Sequence, residues 1–467
     1  MVQGCSSSAG KSLIATVLCR HFARRGVRVA PFKGQNMSNH ARVCEGGEMG
    51  AAQFFQALAA GVEPDVRMNP VLVKPEGERR SQVVVLGAAD MELSALPWRV
   101  RADRLRGPVL DSLDSLAEEY ELLVLEGAGS PAEINLADCD LANLAVGRHV
   151  QASVLLVVDI DRGGAFAHLY GTWHLLEACD RSRIAGWILN RFRGDPELLA
   201  PAPERLAEMT GVPTLGVVPQ IAHGLPEEDG AAWTPRPVRG TARVAVVRYP
   251  TASNLDEFSL IEQVATLEWA QSPDVIASAE LVVLPGSKHV SADLDWLREQ
   301  GLADALVQRV AAGGRVLAIC GGMQLAGQRL RDEGAGERRR EGLGVLPLDT
   351  TFARAKQVGW VAECFGELPE PWHALSGLPA RGYEIRHGSS VAVEGSSPVD
   401  ALPDGLGFAA GSVLGVYPHG LLEDPQIVRA LLGAAPRQNV EHAIDALTDA
   451  VLAHLELDAI DALAGVT

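Results

Sequence analysis

Two stretches of this chain carry residue types that can do chemistry. The first is Gly4-Cys5-Ser6-Ser7-Ser8-Ala9-Gly10-Lys11-Ser12, a phosphate loop with five residues between Gly4 and Gly10 where four are usual. Small residues let backbone N–H groups turn toward phosphate oxygens at the start of a helix whose dipole favours anions. Lys11 would reach the phosphates and the Ser12 hydroxyl would bind Mg²⁺. A small-residue turn ahead of a helix is the plainer alternative. Glu126 ends an apolar run in Leu-Leu-Val-Leu-Glu-Gly, where a carboxylate at a strand's C-terminus faces the ligand crevice of an open α/β sheet. Glu45 and Glu48 in CEGGEMG, and Asp159, Asp161 and Arg162 in VVDIDRGG, stand in comparable places. Solvated caps or salt bridges would explain them equally. Lys33 follows a second strand at 27–32 and offers another cation for phosphate chemistry.

The second stretch is Arg315-Val316-Leu317-Ala318-Ile319-Cys320-Gly321-Gly322-Met323-Gln324, which reads as strand, cysteine, two glycines and helix. A nucleophile on such an elbow gains room for a reacting carbon, and the helix N-terminus lowers a thiol pKa and supplies oxyanion donors. A buried strand cysteine is the ordinary alternative. It loses weight beside Tyr417-Pro418-His419-Gly420, about a hundred positions on, where His419 can serve as general base. Leu284-Pro285-Gly286-Ser287-Lys288 is a further strand–glycine turn able to give an oxyanion N–H.

The elements that must position these groups are legible as short continuous apolar runs at 122–125, 154–159, 184–189, 244–247, 281–284 and 316–319, alternating with helical stretches. That pattern predicts α/β layering with mostly parallel strands covered on both faces. Residues 222–241 are rich in Pro, Gly and charge and lack periodicity, which sets a linker at 226–241 between units at 1–225 and 242–435. The tail, 436–467, carries six acidic residues and no Lys or Arg from Asn439 on. Ile444, Leu447, Val451 and Leu455 fall at helical spacing, so it reads as one acidic amphipathic helix packed on the body.

Composition excludes several classes. Forty-one Lys and Arg against fifty-nine Asp and Glu give a net charge of −18, which argues against a nucleic-acid partner. Nothing approaches the roughly 18 apolar residues of a membrane helix. Seven scattered cysteines form no CxxC pair, so neither a disulfide framework nor a zinc site is indicated. The loop begins at Gly4, behind a strand of only Met1–Gln3, and no signal peptide is expected, which suggests a cytoplasmic protein. A homo-oligomer stays open. Only five of the cations are lysines: Lys11, Lys33, Lys74, Lys288 and Lys356. Where arginine is the default, a retained lysine points to a use for its compact ammonium.

Taken together, the phosphate loop, PFKGQNMSN (31–39), EGGEMGAAQ (45–53), MNPVLVKP (68–75), EGAGSPAEINL (126–136), DIDRGG (159–164), LNRFRGD (189–195), LPGSK, ICGGMQ and YPHG resemble the glutamine-hydrolysing adenosylcobyric acid synthases of cobalamin biosynthesis. The resemblance spans roughly residues 1–432. It implies a dethiobiotin-synthetase-like P-loop domain joined to a class I glutamine amidotransferase-like domain. It also implies ATP-dependent amidation of the b, d, e and g carboxylates of adenosylcobyrinic acid a,c-diamide, through acyl phosphates and glutamine-derived ammonia.

By the same resemblance Cys320 is the nucleophile and His419 its base, with Gly286 and Gly321 in the oxyanion segments. Gly4, Gly10, Lys11 and Ser12 hold ATP, Asn190 lies near the nucleobase, and Ser12, Glu126 and Glu45 serve Mg²⁺, Glu45 replacing the family's usual Asp. Lys33, Lys74 and Arg162, with Asp159, are expected around the phosphates and the corrinoid polycarboxylate. Leu421 stands where glutaminases of the wider class carry a glutamate, so a Cys–His dyad is expected, with His419 oriented by some other group. Cys5, His289 and Arg386 also depart from the family's usual Thr, Asn and His. The alternatives are the sister a,c-diamide synthase, against which QNMSN and MNPVLVKP argue, and a non-catalytic P-loop switch with a partner-binding domain.

Overall fold

The computed structural model describes residues 1–77, 80–221, 242–332, 338–436 and 439–466, so the expected linker at 226–241 lies outside the described residues. In the N-terminal half, strands Val2–Gly4, Val154–Asp159, Ile184–Phe192 and Thr214–Pro219 form a parallel sheet in that order. The parallel pair Val29–Phe32 and Leu122–Leu125 extends it through a bridge between Val2 and Glu126. All six of the expected apolar runs are strands. Ile184–Phe192, Ala242–Val247 and Arg315–Ile319 are longer than expected, and the second strand starts at Val29. Their continuous apolar character follows from double-sided cover: Val157, Leu156, Ile188 and Trp187 are all fully buried.

Between strands Val29–Phe32 and Leu122–Leu125 lies an insertion that faces the C-terminal half. It contains the hairpin Ala41–Cys44 with Gly47–Gly50, and a small sheet of Gln35–Met37, Val71–Gly77, Arg80–Val85 and Ala88–Asp90. The C-terminal half is a seven-stranded sheet. Ala265–Ala270, Ala242–Val247, Leu281–Leu284, Arg315–Ile319 and Val413–Val416 are parallel, and Gly407–Ala410 and Val399–Leu402 close it antiparallel.

A long antiparallel ribbon, Leu348–Cys364 with Pro379–Ala392, projects from it. The ribbon carries no continuous apolar run, because buried and exposed positions interleave along it: Val361 is buried between exposed Trp360 and Ala362. Its Ile385 packs against Ala41, Leu72 and Val84 of the N-terminal half.

The tail packs on the body as two helices where one was expected. These helices, Val440–Leu452 and Leu457–Ala464, share a core with Ile14, Val17 and Leu18 of the phosphate-loop helix Lys11–Arg24. Its acidic face pairs with that helix: Arg24 meets Asp445 at 2.8 Å and Asp449 at 2.5 Å, Arg20 meets Glu441, and Asp461 receives His21 and Arg25.

Candidate active site

The phosphate loop leaves its strand at Gly4 and enters the helix through Gly10, whose φ of 102° suits glycine. A Cβ at Gly10 would collide with the Asn190 side chain, whose Nδ2 donates to Ala9 O at 2.9 Å. Asn190 therefore braces the loop itself. Lys11 Nζ donates to Ser6 O at 3.1 Å.

Glu126 is the centre of this half. Its Oε1 accepts from Ser12 Oγ at 2.7 Å and from Lys33 Nζ at 2.8 Å. Its Oε2 accepts from Gln53 at 3.2 Å and Gln56 at 2.5 Å. Neither glutamine was singled out from the sequence, since amides on an apolar helix face look like surface residues. The buried Glu126 carboxylate and the Ser12 hydroxyl are hard oxygen donors suited to Mg²⁺, with the Lys33 ammonium beside them able to balance phosphate charge.

The remaining expected groups distribute differently. Glu45 lies exposed in the hairpin turn beside Asp65 and is not among the groups bonded to Glu126. Asp159 is buried and pairs with Arg191 at 3.0 Å and the half-exposed Arg162 at 3.2 Å, next to Asn190 in register. Lys74 is drawn to Glu48, not to Glu126. Lys356, which no motif claimed, binds the same Glu48 and shares Gln82 Oε1 with Lys288. Three of the five lysines thus gather where the halves meet. Burial pushes Lys356 well below the usual lysine range and Lys288 down to about 8, and each is further depressed by Lys74. Burial opposes the Glu48 charge, but Lys74 and Lys356 hold its carboxyl down at about 2.

In the C-terminal half Cys320 occupies the turn between strand Arg315–Ile319 and helix Gly321–Ala326, with φ 50° and ψ −109°. So strained a backbone at a non-glycine residue is characteristic of a nucleophile elbow. The turn closes because glycines follow: a Cβ at Gly321 would meet Ser287 N, and one at Gly322 would meet Leu284 O. Gly286 lies edge-on to the base, since a Cβ there would lie 2.8 Å from His419 Cε1 and 3.3 Å from Nε2. The Leu284–Lys288 turn is fixed by Tyr249 Oη, which donates to Pro285 O, and by buried Asp293, which accepts from Ser287 Oγ and Thr251 Oγ1 at 2.6 Å each.

The group that orients His419 is Glu257. His419 Nδ1 meets Glu257 Oε1 at 3.0 Å, and Gly420 N donates to Oε2 at 2.9 Å. Burial would lower the imidazole pKa, but Glu257 and the neighbouring Cys320 sulfur raise it to about 10. Tyr383 stacks on the ring at 5.6 Å and exchanges backbone hydrogen bonds with His419. Sequence offered one hint of Glu257: adjacent acids in SNLDEF just after a strand, where a ligand crevice opens. Arg386, a departure from the family pattern, lies 4.1 Å over the Tyr417 ring and bonds Glu384.

Family models match both halves: residues 1–224 fit the CobQ/CobB/MinD/ParA nucleotide binding domain, and 243–427 the CobB/CobQ-like glutamine amidotransferase domain. A cobyric acid synthase from Paracidovorax citrulli (strain AAC00-1) is 53% identical over 93% of this chain and 92% of its own length. Those of Variovorax paradoxus (strain S110) and Polaromonas naphthalenivorans (strain CJ2) are 50% and 49% identical, each over 99% of this chain and 98% of the relative. The chain belongs to the cobyric acid synthase family. As a member of that family it is a glutamine-dependent amidoligase, and the whole-length match favours the cobyric branch over the sister a,c-diamide synthase. Among the described residues no helix is long and apolar enough to cross a membrane.

Proposed function

We propose that this cobyric acid synthase family member amidates the b, d, e and g carboxylates of adenosylcobyrinic acid a,c-diamide, with ATP forming each acyl phosphate and glutamine supplying ammonia. The observation that carries the reading is the Cys320–His419–Glu257 arrangement in the same chain as the Ser12–Glu126–Lys33 cluster. Cys320 attacks the glutamine carboxamide and forms a thioester, dividing amide cleavage into two easier steps. The N–H groups of the Gly286 and Gly321 segments face the developing oxyanion, and His419, held by Glu257, passes the proton to the leaving ammonia. Lys11, Lys33 and the loop amides bind and orient the ATP phosphates, with Asn190 bracing the loop. Ser12 and Glu126 would hold Mg²⁺, which when bound supplies charge neutralisation on the phosphates. Arg162 offers a partly exposed cation to an acidic substrate against the −18 background.

The test is mass analysis of the corrinoid after incubation with ATP, Mg²⁺ and glutamine. Four carboxylate-to-amide conversions are expected on the a,c-diamide; no conversion of it, with two conversions on cobyrinic acid instead, would establish the sister activity. Cys320→Ala should lose glutamine use and keep ammonium-driven amidation. Failure of ammonium to support that variant would overturn the division of labour.

A further inference from the structure

Strand Ala41–Cys44 belongs to the nucleotide-binding half by sequence, yet its contacts face the glutaminase half. Ala41 and Asn254 exchange hydrogen bonds, Ala41 N to Asn254 Oδ1 at 3.4 Å and Asn254 Nδ2 to Ala41 O at 3.2 Å. Asn254 Nδ2 also reaches Tyr383 Oη at 3.0 Å, and Leu255 N donates to His40 Nδ1 at 3.3 Å. The next residue, Arg42, is buried and crosses the seam. Its Nε donates to Asp256 Oδ2 at 2.8 Å, and its Nη2 bonds both Asp256 and Glu423. Its guanidinium carbon lies 4.9 Å over the Phe55 ring and 5.3 Å over Tyr383.

Every glutaminase-side partner of Arg42 adjoins a group at the thiol centre. Asp256 precedes Glu257, the residue bonded to His419. Glu423 lies in the one-turn helix Leu421–Glu423 that directly follows Gly420, whose N–H caps Glu257. Tyr383 is the ring stacked on His419. The buried Asp256 and partly buried Glu423 carboxylates converge on one guanidinium and repel each other without it, and the segments that bear them would part. The same stretch of chain begins at Asn36, whose Nδ2 donates to Gln53 at 3.0 Å, and Gln53 bonds Glu126 at the phosphate site.

We propose that Arg42 is a positioning residue of the glutaminase centre supplied by the nucleotide-binding half: by clamping Asp256, Glu423 and Tyr383 it sets Glu257 and the His419–Gly420 turn against Cys320. This rests on the reading of Cys320 and His419 as the glutaminase pair. Arg42 acts through Asp256, Glu423 and Tyr383, so its removal acts on turnover more than on binding.

The experiment uses the full chain and measures glutamate release and ammonium-driven, ATP-dependent amidation in parallel. Arg42→Met is expected to lower kcat for glutamine hydrolysis by at least about tenfold, with KM changed by less than about threefold and ammonium-driven amidation retained. Arg42→Lys should recover part of the rate, since one ammonium serves one carboxylate but cannot bridge both. Because Arg42→Met leaves two like charges facing each other, the variant combining Arg42→Met, Asp256→Asn and Glu423→Gln removes that repulsion and should show the same kcat loss. A wild-type rate in that combined variant overturns the proposal, as does a parallel fall of both activities in every variant. Wild-type protein that releases no glutamate overturns the glutaminase reading itself, a result distinct from an Arg42 variant that hydrolyses normally.

Discussion

Glu257 and His419 stand 162 positions apart and meet at 3.0 Å in the buried centre of the C-terminal half. The carboxylate grips twice, at the imidazole Nδ1 and at the Gly420 N–H, so ring and backbone are fixed together. With Nδ1 engaged, the Nε2 edge is left facing Gly286. Glu257 thus stands as the other group expected to orient His419 where Leu421 replaces the usual glutamate, and it comes from before the histidine, on a different crossover of the sheet.

Glu257→Gln keeps the shape of this contact and removes its charge. In the native centre the His419 pKa is raised to about 10, so the imidazolium persists until pH rises through that value. The stability it contributes is complete below the ordinary histidine pKa near 6.5 and is lost as pH rises toward 10. Without the carboxylate, burial dominates and the pKa falls. The alkaline arm of the glutamine-hydrolysis profile should move to lower pH, with kcat down at least about tenfold. An alkaline arm that stays where it was would show that Glu257 does not control the base.

Glu48 is a second buried carboxylate whose loss should be costly, this time at the seam. It holds both Lys74 and Lys356, with Lys288 close by. Glu48→Gln strands those lysines, and denaturant unfolding should register about 3–5 kcal/mol of destabilisation. In the native protein this carboxylate is held down at about 2. Its contribution is thus present above the ordinary carboxyl pKa and lost as pH falls toward 2. Lys356→Met should cost less, because it removes one of several like charges. Equal losses in the two variants would contradict a centre organised by Glu48.

The parts of the fold and site that rest on local pattern were legible in the sequence. Apolar runs marked the parallel strands, and the elbow around Cys320 and the loop to Lys11 announced themselves through glycine spacing. Two kinds of feature were not. The ribbon Leu348–Cys364 with Pro379–Ala392 mixes exposed and buried positions, so it leaves no apolar run to read. Glu257, Arg42, Gln53 and Lys356 act through partners brought near by topology, with sequence separations of 162, 214, 73 and 308 positions to His419, Asp256, Glu126 and Glu48. No local spacing encodes such distances. The scarcity of lysine was the useful exception, because it flagged Lys356 as unusual before any partner was known.

A substitution at Glu126 tests whether the two proposed chemistries separate. Glu126→Gln preserves a hydrogen-bond acceptor for Ser12 but no longer balances Lys33 or offers a charged oxygen to a metal. Ammonium-driven, ATP-dependent amidation should fall by about a hundredfold or more. Alkylation of Cys320 by iodoacetamide should proceed at the wild-type rate, as the thiol centre keeps all its own partners. Loss of both together would place Glu126 in the fold at large and not in the nucleotide site.

The acidic tail should matter through its apolar face. Ile444, Leu447 and Val451 are buried against the phosphate-loop helix, whereas Asp449 is largely exposed where it meets Arg24. Deleting a buried leucine side chain typically costs about 2–5 kcal/mol, while an exposed ion pair contributes about 0–1 kcal/mol. Leu447→Ala should therefore lower the unfolding free energy several times more than Asp449→Asn, and its effect should be insensitive to salt. Since the helix it supports begins at Lys11, the same variant should also weaken nucleotide binding, read as a raised KM for ATP. A Leu447→Ala protein with unchanged stability, or an Asp449→Asn protein losing more, would mean that the charges and not the core hold the tail in place.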